Sequence, residues 1–425
     1  MLRCSVSSEL KEVVVTARMA FSKRSWPFVL AAGIPWILCA GQRSISRMAA
    51  MGGLRRSASA YYRFLSEDKW RLPVLFRCLF QLIVKTFGLR ELTLVLDDTL
   101  CPKWGRKIYG TGNFFDHVSR PRAGYIWGHN WVVLCVVIRA GKKASIPLPF
   151  WIGLYRPKEG CAPGEFRTRH QMAASALKLV RTLFPGPIRL LADGAYANGS
   201  IVGPLSELAI ELVSRLRSDA ALRFPKAPRR AKSSRGRRPK HGGPMGKLGS
   251  MARTRSAFRK ERVMIYGKSV DLLVREFEAY WPALNRVIKV VITRDPNRPK
   301  RVCYLFSTDC RLGAVGIIEN FAQRWTIEQL FNVAKNQMGL DSAEVRKERA
   351  VVRHATLCMA LITWTEVWAY RTQPLSWARP FSQKLASLRT ETITTTIFES
   401  GPRTRGSRRN ARNVGMLFTS ATKAG

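Results

Sequence analysis

The sequence is short of acid. In 425 residues it carries 28 Asp+Glu against 72 Lys+Arg, a formal net charge of +44. So large an excess repels itself and weighs against an ordinary metabolic enzyme, unless a polyanion is close at hand. Nucleic acid is the natural counterpart, because each phosphate contacted releases counterions. Histidine is scarce, at five residues, and the nine cysteines are scattered without a CxxC pair. That spacing supplies no zinc site, and an odd, unpatterned count suits reduced thiols in a cytoplasm. Long apolar runs are missing as well. The stretch WPFVLAAGIPWILCAG, Trp26 to Gly41, is too short to span a bilayer and is broken by Pro35. Polar and charged residues precede it, which argues against a signal peptide. A soluble, cytoplasmic chain with no membrane partner is therefore expected. What is plentiful is apolar material, 46% of the residues, enough for a real core. The length suggests about two to three folding units.

Along the chain the pattern changes several times. Up to about residue 90 the sequence reads as helical. RSISRMAAMGGLRRSASAYYRFL, Arg43 to Leu65, has a helix, a Gly-Gly break and a second helix. That is compatible with a helix-turn-helix presenting Arg55, Arg56, Arg63 and Tyr61 or Tyr62 to DNA. LPVLFRCLFQLIVKTFG reads as a buried helix stopped by Gly88. From Leu92 short leucine-rich and β-branched runs appear: LTLVLDD, WVVLCVVI paired by a hairpin with SIPLPFWIGLY, and IRLLADGAY. A helical run, RTRHQMAASALKLVRTLF, leads into the third, so the organisation is α/β. Residues from about 215 to 262 are nearly acid-free and rich in Gly, Pro and Ser, which predicts a mobile basic loop bearing Arg229, Arg230, Arg235, Arg237 and Arg238. VMIYGKSVDLLVREF, LNRVIKVVITRD and RVCYLFSTD then resume as strands, and TRGSRRNARN marks a basic tail.

Three carboxylates stand out against this basic background. Asp97, beside Asp98, and Asp193 close two strand-like runs, and Glu328 lies in GIIENFAQRWTIEQLFNVAKNQMGL. On a regular α-helix, Phe321, Arg324, Glu328 and Lys335 fall within an arc of roughly 60°, placing one acid between two cations on one stripe. Acids of this kind can hold divalent cations for phosphodiester cleavage, and the flanking cations can bind phosphate. Each feature also has an ordinary reading. A strand-end Asp often caps a turn, and a Glu between Arg and Lys is commonly a solvated ion-pair face. Their joint order in so basic a chain favours the chemical reading.

LVLDDTLCPKWG, LLADGAYAN and the Phe-x2-Arg-x3-Glu-x6-Lys stretch together resemble bacterial insertion-sequence transposases of the DDE class. The subgroup they are most similar to carries a Tyr-x2-Arg-x3-Glu-x6-Lys signature, from which Phe321 departs by losing the hydroxyl. The resemblance spans roughly Arg43 to Tyr370. It implies an α/β fold: an RNase H-like catalytic core interrupted by a largely β insertion, behind a helical N-terminal region. The implied divisions are 1–90 (helical, DNA-binding), 91–204 (first part of the core), 205–310 (basic, largely β insertion), 311–370 (C-terminal helices of the core) and 371–425 (basic, flexible tail). The first acid maps to Asp97 through the Asp-x-Thr pattern, the second to Asp193 and the third to Glu328. These would hold two Mg2+ or Mn2+ ions, with Arg324, Lys335 and Phe321 toward DNA. The implied reaction nicks element ends and joins the freed 3′ hydroxyl to target DNA. It would be performed by a homodimer assembled on double-stranded DNA and associated with a bacterial nucleoid. An RNase H-like nuclease without strand transfer, and a decayed DNA-binding protein, are the competing readings. Trp281 is the single tryptophan of the inserted stretch, where relatives can hold a flipped base, and it also reads as ordinary packing.

Overall fold

The computed structural model describes residues 7–39, 41, 43–50, 57–116, 124–141, 144–225, 240–254 and 257–399. The basic arginines 229–238, Arg55, Arg56 and the tail beyond residue 399 lie outside them. Helices come first: α1 (Ser8–Val15), α2 (Trp26–Leu38), α3 (Ile45–Ala50), α4 (Ala58–Ser66) and α5 (Leu72–Phe87). Ser7 caps α1 by accepting from the Leu10 amide, and Gly88 ends α5 in the left-handed region at φ 57°, the conformation a glycine stop supplies. Tyr61, expected on a DNA-reading face, is buried instead, its hydroxyl donating to the Ala31 carbonyl.

The sheet follows: β1 (Leu92–Pro102), β2 (Gly112–Asp116), β3 (Gly124–Ala140), β4 (Ala144–Tyr155), α6 (Arg169–Leu183), β5 (Ile188–Ala192), α7 (Gly199–Glu207), β6 (Ile210–Arg215), α8 (Leu248–Met251), β7 (Arg259–Ile265), β8 (Lys268–Trp281), β9 (Arg286–Asp295) and β10 (Arg298–Ser307). The last elements are α9 (Ala314–Gln323), α10 (Thr326–Asn332), α11 (Glu348–Thr372) and α12 (Phe381–Glu399). All ten strands join one sheet in the order β2-β3-β1-β5-β6-β10-β9-β8-β7, with β4 on β3. β1, β5 and β6 run parallel; β3 is antiparallel to β1, and β10 is antiparallel to β6. Leu94, Val95, Leu96, Leu190 and Leu191 are fully buried, as expected of parallel strands covered on both faces. Tyr266 and Gly267, both at positive φ, make the tight β7–β8 turn.

The helices lie over this sheet: α6 against β3 and β4, α9 across β5 to β10, α10 against β1 and β4, and α11 against β4 and the N-terminal helices. α11 is buried along most of its length. The segment from 371, expected as the start of a flexible tail, instead completes α11 and forms α12 as far as residue 399. Lys384, Leu385, Leu388 and Thr392 of α12 are buried, and Arg389 donates to the Ile37 and Cys39 carbonyls. No helix among the described residues is long and apolar enough to cross a membrane.

Candidate active site

β1 and β5 are parallel neighbours with Leu96 opposite Ala192. Asp97 and Asp193 each follow directly on this last register pair, Asp97 within β1 and Asp193 at the turn after β5. Both lie where the parallel pairing of β1 with β5 ends, although β1 itself runs on beside β3 to Pro102. Asp97 and Asp98 face opposite ways, as strand alternation requires. The Asp97 carboxylate takes Arg324 Nη1 at 2.7 Å and the Asp98 amide at 2.9 Å. Asp98 receives Arg169 Nη1 at 2.7 Å, Asn130 Nδ2 at 3.1 Å and the Tyr196 hydroxyl at 3.1 Å.

Glu328 joins the Asp97 side through the same guanidinium, its Oε1 lying 3.7 Å from Arg324 Nη1. Burial raises the Asp97 carboxyl to about 7; the Arg324 charge opposes that rise, and Asp98 and Glu328 add to it. The acid thus sits beside two like charges and one cation. At Asp193 the backbone carbonyl accepts from the Tyr196 amide at 2.9 Å, which turns the chain away from the strand end.

The helix carrying Glu328 is not the single regular α-helix the spacing predicts. α9 stops at Gln323, Arg324 and Trp325 form a turn, and α10 gives way to a π-helical turn over Val333–Gln337. Arg324, Trp325, Ile327 and Glu328 bond their amides three residues back, tightening the chain, and Met338 bonds five back to Val333, loosening it. Arg324 is thereby set at the kink, facing Asp97. Lys335, in the π turn, is half-buried and near enough to Cys101 to pull its thiol down, although burial pushes that thiol up to about 12. Phe321 is half-buried against the core, with the Arg324 guanidinium 5.8 Å from its ring centre. Trp281 packs edge-on against Phe306 at 5.3 Å. A groove of about 990 Å³ opens beside Glu328, between α10, the β7–β8 turn, the start of β4 and the start of α12.

The side chains around Asp98 were not found from the sequence. Tyr196 stands three residues after Asp193 and could have been noticed in DGAY, but Arg169 and Asn130 are brought in only by α6 and β3. Among the described residues no three carboxylate, histidine or cysteine side chains gather closely enough to hold a metal ion. The donor types nonetheless suit a hard divalent cation: two aspartates follow the last register pair of adjacent parallel strands, and Glu328 is tied to Asp97 through Arg324.

A comparison with protein families bears on this arrangement. Residues 20–265 match the family described as DDE superfamily endonuclease, and residues 168–364 match the transposase DDE domain. The chain belongs to the DDE superfamily endonuclease family, which indicates a nucleic-acid-processing enzyme. It is also 23% identical over 181 residues to a protein of Microchaete diplosiphon named probable transposase for insertion sequence element IS701. That alignment covers 42% of this chain and 45% of the relative, so less than half of the relative's length is matched.

Proposed function

We propose that the chain is an insertion-sequence DNA transposase of the Tyr-Arg-Glu-Lys subgroup, with Asp97, Asp193 and Glu328 as its catalytic acids. The observation that carries the reading is that Asp97 and Asp193 directly follow the last register pair of two adjacent parallel strands, with Glu328 joined to Asp97 through Arg324. The strand order β4-β3-β1-β5-β6, an antiparallel meander followed by two parallel strands, supports an RNase H-like core. The antiparallel run β7 to β10, from Arg259 to Ser307, supports an insertion that begins after β6, later than the expected start at 205. The net charge of +44 supports double-stranded DNA as the partner. A pair of bound chains, one for each element end, suits the joining of two ends.

Asp97, Asp193 and Glu328 would hold the two Mg2+ or Mn2+ ions. When bound, such ions activate an attacking oxygen and stabilise the leaving one. Arg324 is positioned to exchange its carboxylate contacts for a phosphate oxygen, since a guanidinium binds either with similar geometry. Lys335, further along β1, takes a neighbouring phosphate. Phe321 packs beneath Arg324 and, without a hydroxyl, offers DNA no hydrogen bond. Asp98 braces the strand from its opposite face.

The test uses oligonucleotides taken from the DNA flanking the reading frame, with Mg2+. Wild-type protein should nick one strand at the element end and then join it to a target plasmid. Asp193→Ala and Glu328→Ala should bind the same DNA and do neither. Nicking without joining would make the protein a nuclease. Normal nicking by either variant would sink the site.

A further inference from the structure

The loop that continues β1 presents an exposed aromatic side chain from an anchored backbone. At Cys101 the strand crosses so close to β3 that a Cβ on Gly128 would meet the Cys101 carbonyl, so glycine is required there. The next residue but one, Lys103, is turned inward and buried, its ammonium donating to the Asp341 carbonyl at 2.6 Å and the Ala343 carbonyl at 3.2 Å. The far side is fastened as well, by the Tyr109 amide on the Arg346 carbonyl at 3.0 Å. Between these anchors Trp104 is 97% exposed. Nearby on β2 and β3 are two more exposed rings, Phe115 and Tyr125, with centroids 5.6 Å apart.

Charge says what could cover these rings. From Lys103 to Phe115 the sequence holds Lys103, Arg106 and Lys107 and no acid, and Arg106 and Lys107 are exposed. Cations also accompany β1 on its way to the loop: Arg324 stands at Asp97 and Lys335 near Cys101. At about 3.3 Å per residue, Pro102 is on the order of 16 Å beyond Asp97, or about five base pairs of duplex. The geometry points to a second DNA contact: the loop 103–107 is an arm that lies along duplex DNA beside the cut, with Arg106 and Lys107 on phosphates. Trp104 is its apolar wedge at a base step, a use to which exposed apolar and aromatic side chains are put when DNA is kinked. The choice of DNA as ligand rests on the proposed function; the arm itself does not require that the chain cut.

Binding of an element-end duplex by the full chain carrying Asp193→Ala would be followed by fluorescence anisotropy across a salt series. Adding Trp104→Ala should weaken binding by ~10-fold or more and leave the log–log salt slope unchanged, because no charge is lost. Adding Arg106→Gln and Lys107→Gln should instead flatten the slope by roughly 0.9 for each phosphate contact removed. 2-Aminopurine walked along the duplex should change emission at one step with the Trp104 protein and lose that change with Trp104→Ala. Both variants should melt like their parent. Unaltered affinity and slope in both variants would overturn the arm. So would loss of self-association in sedimentation by free Trp104→Ala with DNA affinity intact, which would make the patch a seat for a second copy. Should wild type fail to nick while the arm variants still lose affinity, the catalytic reading falls and the arm stands. Should wild type nick and the variants bind normally, the arm alone falls.

Discussion

Glu366 and Asp97 are both carboxylates sunk in the protein beside a cation, and their surroundings differ. Glu366, on α11, meets Lys384 of α12 at 2.6 Å, with both side chains almost fully buried, and also accepts from the Trp377 indole at 3.0 Å. Burial raises the Glu366 carboxyl and lowers the Lys384 ammonium, and the charge of each opposes the change in the other. The two groups meet directly, and the Arg379 charge also acts on both. Asp97 shares its guanidinium with Glu328 and has Asp98 as a neighbour, so negative charge outnumbers positive there. The first arrangement ties two helices together by a buried pair; in the second, three acids share fewer cations.

The largest effect should fall on chemistry. If Asp97 supplies several kcal/mol of charge stabilisation in the cut, Asp97→Asn should lower the nicking rate on the order of 10³-fold. Asp98→Asn, on the opposite face, should lower it by less than ~10-fold, since Asn can keep the Arg169-side geometry only in part. Single-turnover nicking on one substrate reads both, and the reverse order would exchange the roles of the two acids. At the brace, Lys384→Met strands a buried carboxylate and should cost about 3–5 kcal/mol in urea unfolding. Adding Glu366→Gln or Glu366→Leu should recover much of that loss. A cost under ~1 kcal/mol would mean that the pair is not a buried brace between the two helices.

A third effect depends on pH. Asp97 is raised from its ordinary value near 3.8 to about 7, so the folded state holds a proton that the unfolded chain releases. Stability is then greatest below pH ~4 on this account and falls as pH rises through the interval to about 7. A tenfold change in acid strength is worth about 1.4 kcal/mol, so Asp97→Asn should stabilise the metal-free protein at pH 8 by on the order of 2–4 kcal/mol. It should do little near pH 4. A pH-independent effect would remove the charge surplus from the comparison. Smallest of all, Phe321→Tyr should change unfolding free energy by less than ~0.5 kcal/mol, because the ring edge is half-exposed.

Much of the architecture was legible because burial on both faces writes a strand as an unbroken apolar run. LTLVLDD, WVVLCVVI and IRLLADG each became a strand, and Gly88 stopped α5 as expected. The acids were legible as residue types at the ends of such apolar runs, and each follows the last residue of the β1–β5 pairing, though β1 continues past Asp97 to Pro102. What the sequence hid has local physical causes. A regular 3.6-residue period assumes one hydrogen-bond pattern, whereas Arg324 stands where bonds shorten and Lys335 where they lengthen. Asp98's partners come from β3, α6 and the turn after β5, which no spacing rule connects. α12 was read as tail because FSQKLASLRTETITTTIFE is polar nearly all round; its burial depends on a lysine neutralised by a glutamate of another helix.

The tie between the two ends of the chain sets an order on its making. The Trp36 indole of α2 donates to the Met338 carbonyl, a bond that spans 302 positions, and α2 is also held by Arg389. At roughly 5–20 residues per second of translation, the apolar side of α2 waits on the order of 15–60 s for its cover to be synthesised. During that time a nascent chain offers sticky surface to chaperones and to other ribosomes' products. A stop codon anywhere before α11 would leave this surface permanently bare, so truncated chains should be cleared or precipitate rather than persist as partial, DNA-occupying competitors.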